Sequence, residues 1–200
     1  MSGLKGIFWN SEGLRDPAKH LFIQESIREQ HLDFLALSET GRANFSIPFL
    51  THLAAGLDFA WFCLPPHGRS GGMLMGFNCA TIQVKLITAG DFSVKFHLIS
   101  KCDGFEWLLV SVYGAAQEEN KAAFLSELVR LCEKETLPML VGGDFTPFNM
   151  VGRRPLPPVA LAMAYSGQRL MVFFNLLAVM PIWRPLSYGA ACSRPWSQVA

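Results

Sequence analysis

After Asp144 this 200-residue chain has no aspartate, glutamate, lysine or histidine. The only ionised side chains there are Arg153, Arg154, Arg169, Arg184 and Arg194. Folded, soluble surfaces ordinarily intersperse both signs, so this stretch does not read as a continuation of what precedes it. Paired cysteines are also lacking. Cys63, Cys79, Cys102, Cys132 and Cys192 are odd in number, and none form a C-x-x-C pair. That spacing excludes a disulfide scaffold and a zinc site, and it points to reduced intracellular thiols. The opening Met-Ser-Gly-Leu-Lys-Gly enters a strand-like run with no signal-peptide or transit-peptide pattern, so an intracellular location (cytoplasm or nucleus) is expected. Walker and Rossmann glycine patterns are absent, and no small-molecule cofactor is expected. A spanning helix needs about twenty apolar residues. The apolar stretch from Leu170 to Trp183, broken by Asn175 and bounded by arginines, is too short, and membrane association of the tail is not expected.

What is present suits one globular domain followed by a tail. Half the residues are hydrophobic, with sixteen phenylalanines and five tryptophans. This is core-forming material, unlike that of a disordered chain. The formal net charge of +1 gives no global signal for nucleic-acid binding. The charge is divided, however: all sixteen acids and twelve of the seventeen bases lie at or before Asp144.

Lys5 to Asn10 reads as a strand. Asp16-Pro17 opens a helix, aspartate as N-cap and proline in the first turn, with Leu21, Ile23 and Ile27 as its apolar side chains. Asp33 to Ser38 reads as a buried strand, which completes a crossover unit. A short helix is expected over 47–55. Strands are expected over 59–64, 73–78, 81–88, 92–100 and 105–113, with Gly90-Asp91 as a hairpin turn. Glu118 to Glu135 is the clearest helix. Phe124, Leu125, Leu128, Val129, Leu131 and Cys132 form its apolar stripe, and Glu127 and Arg130 are expected to face solvent. A last buried strand, 139–141, runs into Gly142-Gly143-Asp144. Alternating strands and helices with adjacent strands give an α/β (α+β) domain with a mixed sheet.

Asn10, Glu39 and Asp144 each stand just past a buried strand, where open α/β sheets gather their sites. A carboxylate there calls for a cation or a hydrogen-bond network. Glu39 and Asp144 suit a hard divalent ion such as Mg²⁺, which takes one or two carboxylates and keeps waters. The competing reading makes each an ordinary strand-end cap. Arg69, in the loop Gly68-Arg69-Ser70-Gly71-Gly72, has the charge and the glycine neighbours to meet a phosphate backbone, or it decorates a plain hairpin loop. Tyr113 either lies in a cleft or packs in the core. The five histidines have no metal-ligand spacing and read as surface or loop residues, while Met73 and Met75 read as core.

In order along the chain, Trp9-Asn10, Leu37-Ser38-Glu39-Thr40, Ser70-Gly71-Gly72, Ser111-Val112-Tyr113-Gly114 and Val141-Gly142-Gly143-Asp144-Phe145 resemble the successive motifs of the endonuclease/exonuclease/phosphatase superfamily. The connecting residues Pro65-Pro66-His67-Gly68-Arg69 and Lys134-Glu135-Thr136-Leu137-Pro138 are similar to the endonuclease domains of plant LINE-type retrotransposons. The resemblance spans about residues 4 to 145 and leaves 146–200 as a divergent hydrophobic and Arg-Pro tail. It implies a DNase-I-like β-sandwich flanked by helices, of which this chain supplies one half and the start of the other. It also implies a Mg²⁺-dependent phosphodiesterase acting on DNA. By match, Glu39 is the metal-binding glutamate and Asn10 the asparagine supporting metal and phosphate. Tyr113 lies near the scissile phosphate, and Asp144 orients the attacking water.

Two departures stand against that function. The family pattern Asp-Phe-Asn is Asp144-Phe145-Thr146 here, and the later Ser-Asp-His motif has no counterpart, since no acid or histidine follows Asp144. A reading-frame shift just after Asp144 would account for both. The expectation is a catalytically inactive endonuclease fragment. The alternatives are an active Mg²⁺-dependent endonuclease completed by a partner chain, and a non-catalytic binding module with a membrane- or protein-associating tail.

Overall fold

The computed structural model describes residues 4–66, 71–112 and 118–143, together with the backbone of three short strands between 163 and 182. In chain order the elements are β1 (Leu4–Asn10), α1 (Pro17–Gln30), β2 (Phe34–Ser38), α2 (Ile47–Leu53), β3 (Phe59–Leu64), β4 (Met73–Asn78), β5 (Ile82–Ala89), β6 (Ser93–Ser100) and β7 (Glu106–Val112). A 3₁₀ turn (Glu118–Asn120) then leads into α3 (Lys121–Lys134) and β8 (Met139–Gly143). The short strands β9 (Met163–Ala164), β10 (Leu170–Val172) and β11 (Ala178–Ile182) come from the segment read as a tail.

Local chemistry sets the helix ends. Asp16 Oδ1 accepts from the Ala18 N–H at 2.9 Å, and Pro17 occupies the first turn, where a missing N–H costs nothing. His31 closes α1 in the left-handed region, with φ 54°. Ser46 caps α2 by accepting from the Phe49 N–H.

The strands form two sheets, ordered β11-β1-β2-β4-β3 and β5-β6-β7-β8-β10-β9. Each has a parallel pair near its middle, β1 with β2 and β7 with β8. Each pair is joined through a helix, α1 in one sheet and α3 in the other. The sequence has no internal repeat, yet the crossover unit occurs twice.

Period-two alternation decides what meets what. Leu4, Phe8, Phe34, Ala36, Met73, Met75 and Phe77 from the first sheet share one core with Val94, Phe96, Leu98, Trp107, Leu109 and Leu140 from the second. The sheets therefore pack face to face, and the expectation of one half plus a beginning of the other is corrected. The facing apolar sets are both present before residue 144. Ile7, Leu35, Leu37 and Leu74 point the other way and pack with Ile23, Ile27 and Leu53 of the helices. Leu108, Val110, Val112, Met139 and Val141 pack with Phe124 of α3. The layers run helix, sheet, sheet, helix.

Three sequence expectations change. Leu21 of α1 is exposed, and only Ile23 and Ile27 of that helix are buried. In α3, Phe124 is buried while Leu125 and Val129 are exposed, so the apolar stripe is wider than the face that packs. Glu127 does not face solvent alone. It accepts from the Asp91 and Phe92 N–H groups and from Ser93 Oγ, and thereby ties α3 to the β5–β6 hairpin.

His31 and His52 are exposed, as expected, but His20 and His97 are more engaged. His20 Nε2 bonds the Leu14 carbonyl oxygen at 3.0 Å, and its ring stands edge-on to Phe49. His97 lies 2.6 Å from Glu106 Oε2, which Lys85 also meets at 3.1 Å. The Lys85 hydrogen bond, followed by that of His97, holds the Glu106 carboxyl below its ordinary 4.5. A depressed carboxylate contributes stability above its unfolded pKa and loses it as pH falls through the folded one. An NMR titration of Glu106 should therefore have its midpoint below 4.5, and Lys85→Met should move it up. A midpoint unmoved by that substitution would show that the pair does not hold.

Candidate active site at the strand ends

The face shared by the two sheets is apolar along most of its length and polar at one end. On β1 the inward residues run Leu4, Gly6, Phe8, Asn10; on β2, Phe34, Ala36, Ser38; on β7, Trp107, Leu109, Ser111. Each series ends on an amide or hydroxyl at the C-terminal end of its strand. Asn10 pairs in register with Ser38, and Ser111 with Gly142. Together Phe8, Trp9, Asn10, Ala36, Ser38, Ser111 and Gly143 line a narrow cleft between the sheets, about 10 Å³ in volume and so with room for about one oxygen-sized group.

Glycine makes this convergence possible. A Cβ on Gly142 would lie 2.4 Å from the Phe8 ring, so β8 passes β1 at a distance only glycine permits. Gly143 adopts φ 130°, and a Cβ there would fall 2.2 Å from the Val112 carbonyl oxygen. The two glycines ahead of Asp144 are thus required by the packing at the cleft.

Glu39 follows Ser38 directly and is half-buried. Its backbone lies in the left-handed region at φ 52°, which costs a non-glycine residue about 1–3 kcal/mol and persists only where its surroundings impose it. The surroundings can be named. The Glu39 carbonyl accepts from the Gly13 N–H at 2.6 Å and from Ser11 Oγ at 3.3 Å. On the other side the Thr40 N–H donates to the Gly72 carbonyl and the Gly41 N–H to that of Gly71. Gly71 presses so closely that a Cβ would sit 2.6 Å from Glu39 Cα. Lys19 of α1 holds the first of these loops from behind, its Nζ donating to the carbonyls of Ser11, Glu12 and Gly13. Among the described residues none hydrogen-bonds or ion-pairs with the Glu39 carboxylate.

Asn10 Oδ1 accepts from the Glu12 N–H at 3.2 Å, which leaves its amide donors for the cleft. Asn10 and Glu39, both expected from the sequence, are thereby brought to one edge. Tyr113, Asp144 and Arg69 lie outside the described residues. Their predecessors Val112 and Gly143 are register partners at the same edge. The sequence reading missed Ser38 and Ser111, although it quoted both within motifs. The signal was the period-two series above. It becomes readable once the inward face of each strand is known. Burial raises the thiol pKa of Cys63, Cys79 and Cys132, so none is a ready nucleophile.

A model of the Endonuclease/Exonuclease/phosphatase family matches residues 7–145. The chain belongs to that family. No curated protein sequence matches it. Solved structures share its fold. A Bacteroides thetaiotaomicron mannosyl-6-phosphatase is similar with TM-score 0.52 at 15% identity, over 71% of this chain and 65% of its own. The human Nocturnin catalytic domain with bound sulfate anion has TM-score 0.52 at 17% identity, covering 72% and 64%. D. rerio TDP2 complexed with single strand DNA product has TM-score 0.52 at 10% identity, covering 68% and 57%. The chain thus spans less than two thirds of the length of each. At these identities the likeness establishes the DNase-I-like fold. No helix among the described residues is long and apolar enough to cross a membrane.

Proposed function

We propose that the chain is built as a divalent-metal-dependent phosphodiesterase of the DNA-nicking, LINE-retrotransposon type, keeps the cation-and-phosphate end of that site, and does not turn over DNA by itself. The observation that carries the reading is Glu39: a half-buried carboxylate, unpaired among the described residues, held in a strained backbone conformation beside Asn10. Strain of this kind is retained where a site needs it.

The residues present fit a hard cation. Mg²⁺ takes oxygen ligands, few of them from protein, and keeps waters for the rest. One carboxylate beside a polar cleft suits that demand. Glu39 would hold the ion, with Asn10 supporting ion and phosphate and Asp144 orienting the attacking water. When bound, such an ion neutralises charge on a phosphoryl oxygen. The chain's own groups then have definite tasks. Asn10 donates its amide N–H groups into the cleft, and its Oδ1 is fixed by Glu12. The walls Phe8, Trp9 and Ala36 exclude water from the inner side.

DNA is the expected partner, as it is for D. rerio TDP2, whose structure holds a single-strand DNA product. A Bacteroides thetaiotaomicron mannosyl-6-phosphatase shares the fold, so fold alone does not select the ester. Catalytic silence follows from chemistry the sequence lacks. No acid or histidine follows Asp144, and Thr146 replaces an asparagine. Loss of one transition-state electrostatic group typically costs about 10²–10³ in rate, and here several are missing.

Supercoiled-plasmid nicking with Mg²⁺ tests this directly. The chain and its Glu39→Ala variant should give the same background trace. Nicking that disappears in the variant would overturn the silent-site reading and show that the groups present suffice.

A further inference from the structure

Ser111 is 1% exposed, and its Oγ has no hydrogen-bond partner among the described residues. An orphaned buried hydroxyl costs about 1–3 kcal/mol and calls for an explanation. The sheet does not supply one. Ser111 sits between Val94 on β6 and Gly142 on β8, and neither side chain offers a donor or acceptor. The one direction left is the cleft that Ser111 lines.

That cleft has a particular character. Among the described residues that line it, the polar side chains are Asn10, Ser38 and Ser111, all neutral. The Asn10 acceptor is already used by Glu12. What remains facing the space is rich in N–H and O–H donors. A group with acceptors only satisfies such a set best, and a phosphoryl oxygen is of that kind. A cation held by Glu39, which adjoins Ser38, would offset the negative charge there.

We infer that Ser111 is a phosphate-contacting residue of the cleft, its Oγ–H donating to a phosphoryl oxygen of the bound ester alongside the Asn10 amide. This rests on the phosphodiesterase reading above and adds to it a contact from the second sheet. It also gives the orphan hydroxyl a purpose: stability is forgone in the empty protein and recovered on binding.

The test uses the full chain, with inorganic phosphate in Mg²⁺ buffer as probe. Phosphate affinity is measured by calorimetry and stability by thermal unfolding, for the wild type and for Ser111→Ala. The alanine variant should melt at the same temperature or up to about 4 °C higher, since an unsatisfied group has been removed. Its phosphate affinity should fall roughly tenfold or more, as for loss of a hydrogen bond to a charged acceptor. Ser111→Thr, which keeps the hydroxyl, should retain binding. Equal affinity in wild type and Ser111→Ala would overturn the inference and leave the hydroxyl holding a structural water only. A lower melting temperature in the alanine variant would also overturn it, because the hydroxyl would then have a partner within the fold. If the wild type binds no phosphate, the phosphodiesterase reading itself fails and this one with it.

Discussion

Gly71→Ala should destabilise the protein by about 2–4 kcal/mol, whereas Gly13→Ala should cost about 1 kcal/mol. The two glycines flank the same residue and differ in what makes them necessary. Gly13 adopts φ 88°, and a Cβ there would meet nothing within 4 Å, so its cost is conformational. At Gly71 the obstacle is contact. A new Cβ would stand 2.6 Å from Glu39 Cα and 3.0 Å from its Cβ. Neither atom is the free end of a flexible side chain. Glu39 is stapled to Ser11 and Gly13 on its far side and cannot retreat without breaking those bonds. The alanine must therefore push apart the loop carrying Gly71 and the segment carrying Glu39. Urea unfolding with a common slope would give both values. Equal costs for the two substitutions would show that close approach to Glu39 is not what demands glycine at 71.

The second large effect lies in the core. A Cβ on Gly6 would fall 2.0 Å from the Phe34 ring, which is itself 1% exposed. Phe8 stands edge-on to that ring, with centroids 5.7 Å apart, and Trp107 lies 6.0 Å away across the sheets. The ring cannot swing aside, so Gly6→Ala should cost about 3 kcal/mol by overpacking. Phe34→Leu alone should cost about 1–2 kcal/mol through lost burial and a cavity beside Trp107. Combined, the smaller side chain makes room for the new methyl, and the double variant should be more stable than the sum by at least about 1 kcal/mol. Strict additivity in denaturant melts would mean that the ring does not occupy the space over Gly6.

Much of this was legible in the sequence because the signals were local. Asp16-Pro17 announces α1 through its own capping bond, and Gly90-Asp91 turns a hairpin whose Gly90 N–H bonds the Ser93 carbonyl. Asn10 and Glu39 could be singled out because each ends an apolar run. The misreadings share a different cause. Whether Glu127 meets solvent depends on a hairpin more than thirty residues away in sequence. Leu125 and Val129 show the same limit: periodicity marks an apolar face but not how much of it another layer covers. Ser38 and Ser111 were passed over because a serine ending an apolar strand is unremarkable until a second sheet is laid over it. That second sheet was itself underestimated, since the sequence alone does not say which strands face one another.

The pairing of β1 with β11 has a consequence for how the chain is made. Leu4 finds its register partner in Ile182, far along the chain. Until residues 178–182 have been made, one side of β1 is an unsatisfied edge, open to pairing with another nascent chain. Contacts this distant in sequence also raise contact order and slow folding. Holding that edge shielded until residues 178–182 arrive is work suited to a co-translational chaperone, and yield from cells should depend on one more than the size of the domain would suggest.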